Sequence, residues 1–166
     1  MKKNKGFTLV ELLVTIAIIG VLSSIVIVNL NSSKKTSDYL KRVADLGQIK
    51  LALTKYQVKY GKYPLTGDGW SGYGSCWVTG SATGDTNYIP ALVTERLITK
   101  LPIDTRSTAT CTDGLAYIYR SDGRDYKLIA HNAPDISIAI SKNPEMRDPN
   151  RLNHAYGFWT PGAVNW

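Results

Sequence analysis

From Phe7 to Leu30 the sequence contains no proline and a single charge, Glu11. The missing proline removes the commonest cause of a break, so the run can form one continuous helix. Catalytic signatures are missing as well. There is no H-E-x-x-H, no G-x-S-x-G, no Walker A loop and no dinucleotide fingerprint, which leaves an enzyme without a recognisable constellation. His131 and His154 are the only histidines, and their separation fits no metal-ligand spacing. Cysteine is limited to Cys76 and Cys111, and neither sits in a nucleophile motif. Low-complexity segments and internal repeats are also absent, so the 166 residues have room for one anchor helix and one small head.

What is present is concentrated at the start. Lys2, Lys3 and Lys5 form a basic leader that ends at Gly6, and the apolar run begins at Phe7. A helix over 7–30 would be about 36 Å long, enough for a bilayer core of roughly 30 Å. A cleaved secretory signal has a shorter apolar stretch and a small-residue cleavage site, so the run reads as a retained anchor. Its basic flank would stay cytoplasmic and leave the remainder of the chain outside. A carboxylate inside such a run is costly and marks a functional position. Glu11 near a helix end could simply reach headgroups. If the chain is cut between Gly6 and Phe7, however, a new α-amino group appears one helical turn from Glu11. That cation could pair with the carboxylate of the same or a neighbouring chain.

The stretch Gly6-Phe7-Thr8-Leu9-Val10-Glu11 with the apolar residues through Gly20 resembles the type IV pilin and type II secretion pseudopilin signature. The resemblance implies cleavage after Gly6 by a membrane-embedded prepilin peptidase and methylation of the Phe7 amine. It implies that Glu11 registers an incoming subunit against Phe7 of its neighbour. It also implies a membrane assembly platform with ATPase machinery that moves subunits from the cytoplasmic membrane into a cell-surface or periplasmic filament. One departure is visible. Many type IV pilins carry a proline late in this helix, where the present chain has Val26-Ile27-Val28. Softening would then fall to Gly20 and Ser23-Ser24.

Beyond Leu30 the chain turns polar, and apolar residues then recur at Tyr39, Val43, Leu46, Ile49, Leu53, Tyr56 and Tyr60. Spacings of three and four predict one face of an amphipathic helix, ended by Gly61 and Pro64. The segment from Asp45 to Pro64 resembles the helix exit of major pseudopilins. Residues 65–113 read as a long irregular connection with a short helix or turn around Pro90–Leu97. In it, Leu101-Pro102-Ile103-Asp104 resembles a turn that precedes the sheet in pseudopilin-like heads. Residues 116–120 and 126–130 predict a hairpin around Asp122-Gly123, and Ile136–Ile140 predicts a third strand. Residues 153–166 read as an aromatic tail packed on the head, with an exposed contact surface for a subunit or a glycan as the other reading. The expected fold class is α+β, a long N-terminal helix packed on a small antiparallel sheet as in the pilin fold. Its segments are a leader at 1–6, an anchor and filament-core helix at 7–30, an amphipathic helix at 31–64 and a head at 65–166.

The formal charge is +7, and loss of the leader would remove three of those charges. What remains is weak support for nucleic-acid binding. Cys76 and Cys111 would lie outside the cytoplasm, where a disulfide is the leading reading, worth roughly 3–4 kcal/mol; two unpaired thiols are the other. Asp122 and Asp125 flank a glycine turn. Some major pseudopilins bind calcium in a head loop, so these two are the candidate Ca²⁺ ligands, although turn chemistry accounts for them without a metal. No cofactor is required. The function expected is that of a structural subunit polymerised through its N-terminal helix. The alternatives are an adhesive tip pilin, a DNA-uptake pilin using Lys34, Lys35, Lys41 and Arg42, and, last, a membrane-anchored enzyme.

Overall fold

A computed structural model of the chain describes residues 6–67, 69–72, 88–104 and 116–166, with the side chains of 24–30 also outside the description. By its contacts the chain divides into two units, Met1–Ser37 and Asp38–Trp166.

One helix, α1, runs over Leu9–Tyr60. It ends where Gly61 turns left-handed at φ 70°, its amide donating to the Gln57 carbonyl at 2.7 Å. Glycine adopts that conformation without a Cβ clash, which is why it terminates helices so often. In the second unit α1 buries Tyr39, Leu46, Ile49, Ala52 and Leu53. Val43 and Tyr56 pack half-buried against that core, whereas Tyr60 of the expected stripe stays exposed.

Against this face lies a four-stranded sheet in the order β1 (Ser71–Gly72), β2 (Ala116–Ser121), β3 (Tyr126–His131), β4 (Ala155–Trp159). All neighbours are antiparallel. The arrangement is α+β and consistent with the pilin fold. Alternation along the strands sorts the side chains. Tyr117, Tyr119, Tyr126, Leu128, Ala130 and Tyr156 join the helix core. Ala116, Ile118, Ile129 and Ala155 form a second cluster with Trp70 and Trp159 packed on it. Both faces are therefore covered, and β2 and β3 read as nearly continuous apolar runs.

The third expected strand is a correction. Ile136–Lys142 is a helix, α3; the short helix α2 precedes it at Pro90–Thr94. Ile136 and Ile140 are four apart, so an alternating Ile-x-Ile-x-Ile run also fits one helical face. The amides of Ile138 and Ala139 both donate to the Asp135 carbonyl, and Ala139 is the residue buried beneath. The place beside β3 is taken by β4, within the stretch read as a tail. Gly157 makes this pairing work, because a Cβ there would come within 2.7 Å of Ile129 Cα.

Among the described residues of the second unit, two buried charge clusters join separate elements. Arg42 Nε donates to Asp104 Oδ2, Nη2 to Asp104 Oδ1 at 3.2 Å, and Nη1 lies 2.9 Å from Asp135 Oδ2. Tyr156 also donates its hydroxyl to Asp135. All three ions are buried. Burial alone would lower the Arg42 pKa, but Asp104 and then Asp135 outweigh it and hold the guanidinium above its ordinary value. On the other sheet face Lys127 is fully buried. Its Nζ donates to Asp148 Oδ1 at 2.9 Å and to the backbone oxygens of Val164 and Trp166 at 2.9 and 3.0 Å. Burial pushes this ammonium pKa down, opposed by Asp148.

Candidate functional site

Gly6 and Phe7 precede α1 in irregular, exposed backbone, and Phe7 is 82 % accessible. The first helical residue is Leu9, which makes Thr8 the cap. Its hydroxyl accepts from the Glu11 amide at 3.3 Å. The Glu11 carboxylate in turn accepts from the Thr8 amide at 2.8 Å and the Thr8 hydroxyl at 2.7 Å. This is a reciprocal capping box: two donors that a helix start leaves unsatisfied are both engaged. The carboxylate also sits at the positive end of the helix dipole. Gly6 and Phe7 thus lie exposed just before the first turn, and the Glu11 carboxylate is fixed within it. Thr8 was missed by sequence reasoning, although Thr8-Leu9-Val10-Glu11 carries the T-x-x-E signal that identifies such a cap.

After the cap, Leu9, Val10, Leu12, Leu13, Ile16, Ile19 and Leu22 are all exposed. An apolar surface of that extent is unusual unless lipid or another protein covers it. Among the described residues no helix is long and apolar enough to cross a membrane. The expected span over 7–30 is described with side chains only through Ser23. Leu9–Ser23 rises about 22 Å, short of the roughly 30 Å core.

The other candidate residues do not converge on this site. Cys76 and Cys111 lie outside the described residues. Asp122 Oδ1 accepts from the amides of Arg124 and Asp125 at 2.9 and 2.7 Å. The Asp125 amide, chiefly, holds the Asp122 carboxyl below its usual range. Asp125 Oδ1 accepts from the Gly162 amide at 3.2 Å, an approach that a side chain at Gly162 would block. Each carboxylate thus has a turn or loop to hold. Among the described residues no group of three or more His, Cys, Asp or Glu side chains is placed to hold a metal ion. His131 is in β3 and His154 in the turn before β4. Of the basic cluster considered for nucleic acid, Arg42 is buried between two carboxylates and Lys41 pairs with Asp45 at 2.7 Å.

Comparison with known proteins points to the same end of the chain. Residues 1–27 match the family model for the prokaryotic N-terminal methylation motif. The chain is 42 % identical over 69 residues to the type II secretion system core protein G of Klebsiella pneumoniae, covering 42 % of this chain and 49 % of that protein. It is 43 % identical over 67 residues to the protein of the same name from Escherichia coli K12, covering 40 % and 46 %. A probable minor fimbrial protein of Dichelobacter nodosus is 40 % identical over 53 residues, covering 32 % and 33 %. The chain thus spans about half the length, or less, of the relatives it matches. No solved structure matches. These likenesses support the resemblance to type IV pilins and pseudopilins.

Proposed function

We propose that the chain is a structural subunit of a type IV pilus-like or pseudopilus filament. A prepilin peptidase cuts it after Gly6 and it polymerises through α1. The observation that carries this reading is the helix start: an uncovered Gly6–Phe7 bond, a carboxylate fixed in the first turn, and exposed apolar side chains beyond it. Cleavage would place a cation at Phe7 next to Glu11, and methylation keeps that charge. The apolar residues would lie in the cytoplasmic membrane before assembly and against other α1 helices afterwards, where packing must offset the loss of lipid contact. The same contact repeated head-to-tail without closing a ring builds a filament. An assembly platform and ATPase supply the work, and the head lies outside the cytoplasm. No catalytic residue, cofactor or metal is assigned.

A secretion pseudopilus is favoured because the longer matches are to secretion-system core proteins. A minor fimbrial subunit is the second reading, favoured by the shorter match to a probable minor fimbrial protein. The test is assembly in cells that express the chain with its secretion or pilus operon. Wild-type protein is expected in the sheared filament fraction. Glu11→Ala is expected to be processed, to stay in the membrane and to be lost from that fraction. Filaments of normal yield from Glu11→Ala would contradict the role given to this carboxylate.

A further inference from the structure

The second unit contains a cleft whose lining includes none of the residues of the helix start. Its volume is about 430 Å³, within the range of small-ligand sites. Tyr56, Tyr63, Trp70, Tyr88 and Tyr119 line it, with Lys62. Three of the aromatic walls are braced by a group behind them. Tyr56 packs on Tyr60 at 4.5 Å between ring centroids. Tyr63 packs on Tyr126 at 4.7 Å, and the Arg151 guanidinium lies 4.7 Å from the Trp70 ring centre. Walls held in this way lose little freedom when a ligand enters.

The polar groups of the wall are mostly spent on the fold. Tyr88 donates its hydroxyl to the Pro102 carbonyl and Tyr119 to that of Pro64. Ser71 Oγ donates to the Tyr88 carbonyl at 2.6 Å and Thr66 Oγ1 to that of Ser121 at 3.3 Å. Lys62 is the one charged side chain in the described wall, and it is exposed. Among the described lining residues there is no carboxylate. Lys62 and Leu65 continue into an adjoining groove of about 490 Å³ that also holds Arg124. The Asp122 carboxylate there is already engaged by two backbone amides.

Aromatic faces in the cleft, with Lys62 at its edge and Arg124 in the adjoining groove, match a ligand with apolar C–H faces and negative charge. We propose that this cleft binds an acidic saccharide, with successive sugar rings against Tyr56, Tyr63 and Trp70 and a carboxylate on Lys62. Aromatic side chains suit such a ligand because they present an apolar face beside a polar tip, and an ammonium forms the strong, charge-assisted bond to a carboxylate.

Calorimetric titration of the full chain in detergent micelles tests this, with oligomannuronate as probe and the neutral manno-oligosaccharide of the same linkage as control. Saturable binding of the acidic oligomer is expected, with the neutral one at least about tenfold weaker. Lys62→Gln removes an exposed charge and should not disturb folding; it is expected to weaken binding about tenfold. Trp70→Ala is expected to abolish it. Lys55→Gln, which changes an exposed lysine outside the cleft, should bind as wild type. No binding by either sugar would overturn the proposal. So would equal affinity for both, or an equal loss in Lys55→Gln, which would mean diffuse charge attraction.

Discussion

Thr8 and Glu11 form a helix cap, and the same carboxylate is the one proposed to act in assembly. Glu11 caps the helix it stands in, so the residue that looks anomalous inside an apolar run has a local reason to be there. Thr8→Ala removes half of that cap. It should cost the helix start about 1 kcal/mol, read as faster amide exchange at Leu9–Leu12 in detergent-solubilised protein while the second unit keeps its protection. Unchanged exchange would mean that the cap does not hold the first turn. Arg42 is the second residue whose role is local. Arg42→Met would leave Asp104 and Asp135 buried without their cation, a loss of about 3–5 kcal/mol. Chemical denaturation of the full chain should show it as a lower midpoint. Arg42→Met combined with Asp104→Asn and Asp135→Asn should recover much of that loss, since the desolvated charges go together. Thr8 carried a sequence signal that reading for charge alone passed over. The partners of Arg42 did not, because 62 residues separate Arg42 from Asp104 and nothing local marks which carboxylate will meet which cation.

At the scale of elements, the buried tyrosines make the head sensitive to alkali. Burial, with Tyr63 close by, pushes the Tyr126 phenol up to about 12. Burial also raises Tyr117, Tyr119 and Tyr156 above their ordinary value. A pKa raised by folding means that the unfolded chain releases its proton first. The stabilisation from these groups is therefore complete below pH about 10 and is lost as pH rises through the folded values. Melting followed by circular dichroism should shift to lower temperature as pH rises above about 10. The tyrosinate band should show these phenols ionising at higher pH in the folded chain than in the unfolded one. Gly157→Val should disrupt the β3–β4 pairing, because the new side chain meets the backbone at Leu128 and Ile129; a loss of about 1–3 kcal/mol or failure to fold is expected. These elements differed in how well they could be read beforehand. The helix face from Tyr39 to Leu53 was legible because its spacing of three and four has one structural meaning. The hairpin was legible because Asp122-Gly123 sits where the chain must turn, with Gly123 at φ 91°. Ile136–Ile140 was not, since alternation over so few residues serves a strand or a short helix. The strand β4 was hidden because Gly157 and Pro161 look like breakers. In the structure Gly157 permits close strand approach, and Pro161 stands after β4 has ended.

For the molecule as a whole, the central claim is that the N-terminus is removed and the chain then assembles. The most direct measurement is mass spectrometry of the N-terminal peptide from protein sheared off whole cells carrying the assembly operon. The account predicts a peptide beginning at methylated Phe7, with the three lysines of the leader gone. Protein retaining Met1, with none of the chain in the sheared fraction, would contradict it.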